Sequence, residues 1–131
     1  MPVERHFTGT RFEPAVGYCR ALRVGERILV AGTLGLNADD EPAGDAYAQA
    51  QAAIARILGA IEALGGTAAD VVRTRMFATH PQRDWDDFAR AHREAFGEHP
   101  PVTAMIGTPE LAVPGCVIEI EAEADVRASA P

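Results

Sequence analysis

The residues best suited to acid–base chemistry lie in one stretch, Cys116-Val117-Ile118-Glu119-Ile120-Glu121-Ala122-Glu123-Ala124-Asp125. Side chains on a strand alternate between faces. Cys116, Ile118, Ile120, Ala122 and Ala124 therefore share one face, and Val117, Glu119, Glu121, Glu123 and Asp125 share the other. The first face is apolar and small enough for a helix to lie on. The second is a ladder of carboxylates, which cannot sit in a dry core without partners. It must be wet, paired with arginine, or turned toward a cavity, where a carboxylate can move protons. Arg73 and Arg75 share one face of another β-type run, residues 71–79. Arg75 could reach the ladder as a structural partner of Glu119 or Glu121, or stand free as a cation for a ligand.

Absent residue types exclude several chemistries. All 12 basic residues are arginine. With no lysine there is no Schiff-base lysine, no Walker-type phosphate lysine and no lysine general base. The single serine, Ser129, lies in the tail and excludes a Ser-His-Asp hydrolase. A net charge of −7 argues against nucleic acid or an anionic membrane as partner. No apolar run reaches membrane-spanning length, and the first residues carry no apolar signal segment. Two cysteines, Cys19 and Cys116, fit free thiols in a reducing cytoplasm. No His, Cys or Asp spacing resembles a metal site, and no metal is expected. His92 falls on the apolar stripe of a helix and reads as a core or boundary residue, whereas His80 and His99 read as surface residues.

The elements that must position these groups fit one domain of 131 residues. Residues 4–8 suggest a short edge strand, and 9–17 a loop. Residues 18–24 and 27–33 suggest a hairpin turning at Gly25-Glu26. Asp45 opens the strongest helix, with Tyr47, Ala50, Ile54, Ile57, Leu58, Ile61 and Leu64 at helical spacing and Gly65-Gly66 as its stop. Asp84 can cap a second helix carrying Trp85, Phe88, Ala89, His92 and Phe96 on one stripe. Residues 102–108 form a short strand before the acidic one, and residues 127–131 read as a disordered tail. The order β-β-β-α-β-α-β-β predicts an α+β fold, a mixed sheet with two helices on one face. The bare face calls for a partner, most simply further copies of the chain.

Several spaced segments together resemble the Rid family, also called YjgF and formerly labelled L-PSP endoribonuclease. Gly17-Tyr18 opens the first hairpin where the family has a Pro-Tyr or similar pair. Val30-Ala31-Gly32-Thr33 stands at its Ser-Gly-Gln triplet, and Gln49 at its helical glutamine. Val71-Val72-Arg73-Thr74 matches the next segment, and Pro101-Val102-Thr103-Ala104 its Pro-Ala-Arg-Ser segment. Ile118-Glu119-Ile120-Glu121-Ala122 matches its closing strand. The resemblance implies a homotrimer of chorismate-mutase-like subunits whose sheets line a central barrel, with small-molecule pockets between subunits. It implies hydrolysis of reactive imines or enamines to ammonia and a 2-oxo acid, with no cofactor.

The resemblance also implies roles for particular residues. Glu119 would orient or activate water. Tyr18 and Thr103 would shape the cavity, and backbone amides of Gly32 and Met105 would bind an oxygen. In active deaminases of the family an arginine holds the substrate carboxylate, and the aligned residue here is Thr103. A hydroxyl supplies no charge and no bidentate fork, and losing a buried charged pair costs about 2–5 kcal/mol. This predicts a divergent member with altered substrate choice, with Arg75 as the candidate replacement cation. A non-catalytic binding or sensing trimer is the alternative, and a ribonuclease a further one, disfavoured by the acidic charge.

Overall fold

The acidic stretch forms the strand at the middle of the sheet. The structure is a computed structural model and describes residues 2–131. In chain order the elements are β1 (Val3–His6), α1 (Phe12–Val16), β2 (Ala21–Val24), β3 (Arg27–Leu34), α2 (Ala46–Ala63), β4 (Val71–Ala78), α3 (Trp85–Phe96), β5 (Val102–Gly107) and β6 (Ile118–Asp125), with a 3₁₀ turn at Ala68–Asp70. The six strands form one sheet in the order β1-β2-β3-β6-β4-β5. Neighbours are antiparallel except β4 and β5, which are parallel. The fold is the expected α+β arrangement, with α1 as an addition.

Alternation along β6 decides what covers each face. Ile118, Ile120, Ala122 and Ala124 are buried with Ile28 and Val30 of β3. They pack against Ala50, Ala53, Ile54, Ile57, Ala60 and Ile61 of α2 and Phe88, Ala91 and Phe96 of α3. The small alanines of β6 let α2 lie close. The opposite, open face carries Glu119, Glu121 and Glu123 beside their register partners Phe77 and Arg75 of β4 and Leu29 of β3.

The long helix begins and ends as its sequence predicts. The Asp45 carboxylate accepts from Ala48 N at 2.9 Å. At the other end Gly66 N donates to Ile61 O and Gly65 N to Glu62 O, a Schellman closure. Gln49 is buried and ties this helix to the lead-in of β6. Its amide nitrogen donates to Gly44 O and Gly115 O, and its oxygen accepts from Val117 N at 2.9 Å.

Four local expectations are corrected. The 9–17 loop contains α1, which is held by Glu13. That buried carboxylate accepts from the backbone N–H and hydroxyl of both Thr8 and Thr10. Asp84 does not cap α3 with its side chain, because Arg83 grips both carboxylate oxygens at 2.9 Å. Trp85, placed on the buried stripe by periodicity, is exposed at the start of α3. Cys116 precedes β6 and packs in a separate small cluster with Leu34 and Val113. Near the C-terminus Ser129 donates from its N–H and hydroxyl to Asp70 Oδ1.

Candidate functional site

The three glutamates of β6 share a face but not an environment. Glu121 pairs with Arg75 at 3.0 Å. Glu123 pairs with Arg27 at 3.0 Å and lies 3.8 Å from Arg75. Both follow from register, since Arg75 stands opposite Glu121, and Arg27 begins the strand beside Glu123. Arg75 is therefore engaged on the ladder. Glu119 forms no ion pair and no side-chain hydrogen bond among the described residues, although it is half-buried. Burial pushes its carboxyl above the ordinary range; Arg20 opposes that shift and Glu121 adds to it.

The space for Glu119 comes from a break in the neighbouring strand. The β3–β6 register shifts between Val30 and Thr33, so Ala31 and Gly32 form an irregularity there. Gly32 lies directly against the glutamate: a Cβ on it would stand 2.7 Å from Glu119 Oε1. Only a residue without a side chain lets the carboxylate lie over the backbone at this point.

Arg20 occupies the gap beside the irregularity and is 2% exposed. Its NH1 donates to Gly32 O and Thr33 Oγ1, and its NH2 to Tyr18 Oη, each at 2.9 Å. Its Nε has no partner. No carboxylate pairs with this cation among the described residues. The bond to Tyr18 has a direction. Since the phenol oxygen accepts from Arg20, its own proton is free to be donated elsewhere. The guanidinium carbon also lies 5.4 Å from the Tyr18 ring centroid. Arg56, from α2, donates to Leu34 O at 2.7 Å. Burial first, and then Arg20, lower its pKa.

Tyr18, Gly32 and Glu119 thus gather around Arg20. Thr103 and Met105 do not join them within one chain. They lie on β5, an edge strand separated from β6 by β4. Their register partners Thr74 and Met76 are buried beneath α3, so both point to the helical side. Thr103 is exposed, and its hydroxyl bonds Thr74 Oγ1 at 2.7 Å. Two concave regions flank these groups. One, of about 720 Å³, lies by α1 and includes Phe7, Tyr18, Leu22 and Leu29. The other, of about 430 Å³, lies between α3 and β5 and includes His92, Thr103 and Met105. No grouping of three or more His, Cys, Asp or Glu able to hold a metal occurs among the described residues. Among the described residues no helix is long and apolar enough to cross a membrane.

Sequence reasoning missed Arg20. The available signal was its place two residues after Tyr18 on the same β-type run, which puts both on one strand face. It also missed Glu13, whose partners Thr8 and Thr10 precede it.

A family model described as Endoribonuclease L-PSP matches residues 8–126. An uncharacterized protein of Streptomyces coelicolor is 33% identical over 123 residues, covering 93% of this chain and 91% of that protein. The RutC family protein YjgH of Escherichia coli is 28% identical over 96 residues, 72% of this chain and 73% of its own. Among solved structures, Rv2704 of Mycobacterium tuberculosis, described as a member of the YjgF/YER057c/UK114 family, superposes with a TM-score of 0.88. It is 42% identical and covers 95% of this chain and 100% of its own. RidA from an Antarctic Psychrobacter gives 0.77 at 27% identity, covering 83% of this chain and 88% of its own. Together with the matched segments and the shared sheet, these comparisons place the chain in the endoribonuclease L-PSP family, the Rid or YjgF family that its sequence resembles.

Proposed function

We propose that the protein is a cytoplasmic homotrimeric hydrolase of enamine- or imine-type reactive metabolites, with a small-molecule pocket at each subunit boundary. The observation that carries this reading is the solitary state of Glu119. It is the one glutamate of the ladder left without a cation, it is half-buried, and its carboxyl is raised toward the range useful for proton transfer. Self-association is supported by apolar side chains left exposed on the sheet, Leu29, Val102 and Ile106. It would also bring the β5 edge of one subunit, with Thr103 and Met105, to the Tyr18–Glu119 side of another.

In this reading Glu119 takes a proton from water as the oxygen bonds to the imine carbon and the C=N electron pair moves to nitrogen. That nitrogen gains a proton, and the Tyr18 hydroxyl is the donor directed outward by Arg20. The resulting amino alcohol takes the Glu119 proton on nitrogen and expels ammonia as its hydroxyl proton passes to Tyr18, leaving a carbonyl product and both side chains in their starting states. Backbone N–H groups of Gly32 and Met105 donate hydrogen bonds to a substrate oxygen. Steady-state assay with 2-iminopropanoate and 2-iminobutanoate tests the reaction. Turnover above the spontaneous rate, lost in Glu119→Gln, supports it. Background rates with both exclude these substrates.

Thr103 favours a second reading, a binding or sensing trimer without catalysis. Its hydroxyl is uncharged and already bonded to Thr74. A thermal-shift ligand screen followed by turnover measurement separates the readings, since a hit consumed over time argues for the enzyme.

A further inference from the structure

The proposed reaction makes no use of a hydrogen-bond chain that ends at Thr103. Thr74 Oγ1 lies 2.8 Å from His92 Nε2 and 2.7 Å from Thr103 Oγ1. Thr74 is fully buried, at 0% exposure, and Thr103 is exposed. The chain thus links a half-buried imidazole to a hydroxyl on the wall of the α3–β5 cleft. Apart from these groups, the cleft presents mainly apolar side chains: Met76, Trp85, Phe96 and Met105.

A threonine hydroxyl has one proton to give, which leaves the chain two arrangements. With the imidazole proton on Nδ1, Nε2 accepts from Thr74, Thr74 accepts from Thr103, and Thr103 shows the cleft only lone pairs. With a proton on Nε2, His92 donates to Thr74, Thr74 donates to Thr103, and the Thr103 proton turns outward. A protonated imidazole has hydrogens on both nitrogens, so it permits only the outward arrangement.

We propose that His92, acting through Thr74, is a positioning residue that sets the Thr103 hydroxyl as donor or acceptor, and that the α3–β5 cleft takes the acceptor oxygen of a small, otherwise apolar carboxylate or carbonyl compound. The ligand half rests on the reading of Thr103 as part of the functional pocket. The His92–Thr74 half rests on geometry alone. Affinity for such an oxygen rises as His92 gains its proton. That happens below the ordinary histidine value of 6.5, because burial lowers its pKa. The surroundings agree. Arg93 is the one other charged or titratable side chain lining the cleft. On the same helix Glu94 and Arg90 turn to Tyr47, and the Phe96 ring lies tilted against the imidazole, with ring centroids 4.8 Å apart. β4 and β5 contribute Thr74, Met76, Thr103, Ala104 and Met105, none of them charged.

The test combines histidine ¹⁵N spectroscopy with titration of 2-oxobutanoate from pH 5 to pH 8, on wild type, Thr74→Val, Thr103→Val and His92→Gln. The tautomer balance of His92 should shift in both threonine variants. Wild-type affinity should rise about tenfold as His92 protonates, the worth of one hydrogen bond to a charged group. His92→Gln, whose amide does not titrate between pH 5 and pH 8, should bind without that pH step. Any pH response from Glu119 would persist in His92→Gln and is removed by the comparison. A His92 tautomer indifferent to both threonine variants, or the same pH step in His92→Gln as in wild type, overturns the relay. Absence of 2-oxobutanoate binding with the tautomer coupling intact overturns the ligand assignment and the pocket reading beneath it, and leaves the relay standing.

Discussion

Glu119 Oε1 lies so close to Gly32 that a Cβ on the glycine would stand 2.7 Å from it. The catalytic carboxylate of the proposed site is thus positioned by the absence of a side chain on the neighbouring strand. Gly32→Ala should push the carboxylate aside without unfolding the protein, since the atom met is the far end of a side chain. Misplacing a catalytic group by about 1 Å costs about a hundredfold in rate. The expected result is a large fall in kcat/KM with a melting temperature within about 3 °C of wild type.

Glu119→Gln should stabilise the protein at neutral pH while abolishing turnover. The folded carboxyl has a pKa above its ordinary value of 4.5, so the folded state binds the proton more tightly than the unfolded chain. Stability therefore falls as pH rises through the folded pKa, and the cost is fully present above it. The Glu119→Gln melting temperature should exceed wild type by about 2 °C at pH 7 and match it near pH 4.

Arg20 opposes the rise in the Glu119 pKa. Arg20→Gln keeps a donor for Gly32 O but removes the charge. If the ionised carboxylate is the working form, the acid limb of the pH–rate profile should move to higher pH in this variant. A limb that stays in place would separate Arg20 from the chemistry and leave it a structural role.

Glu13 gives a stability prediction independent of the site. Four donors from Thr8 and Thr10 hold its carboxylate. Although burial raises its pKa, these bonds outweigh that effect and bring it down to about 2. The stability it contributes is complete above 4.5 and is lost as pH falls toward 2. Glu13→Ala should cost about 2–4 kcal/mol at pH 7 and much less at pH 2, measured by urea unfolding.

The parts of this account legible in the sequence are those set by short-range periodicity. Alternation from Ile118 to Asp125 gave β6 one core face and one open face because a strand is paired with it on each side, leaving only its two faces to be covered. Asp45 and Gly65-Gly66 bounded α2 because caps act within a turn. Arg20 stayed hidden because its partners Gly32 and Thr33 come alongside only through the β3 irregularity, 12 and 13 residues on. α1 stayed hidden because a helix of 5 residues shows no period, and its support comes from outside it. Thr103 was identified by its aligned position, but its direction depends on the parallel pairing of β5 with β4, which no local pattern encodes.

The central claim is that the open face, with Glu119 on it, meets other copies of the chain. Sedimentation equilibrium at neutral pH tests it most directly. The account predicts a single species of three times the 13.9 kDa chain mass, persisting at low micromolar concentration. A species at 13.9 kDa under the same conditions would leave Glu119 facing bulk water and contradict the account.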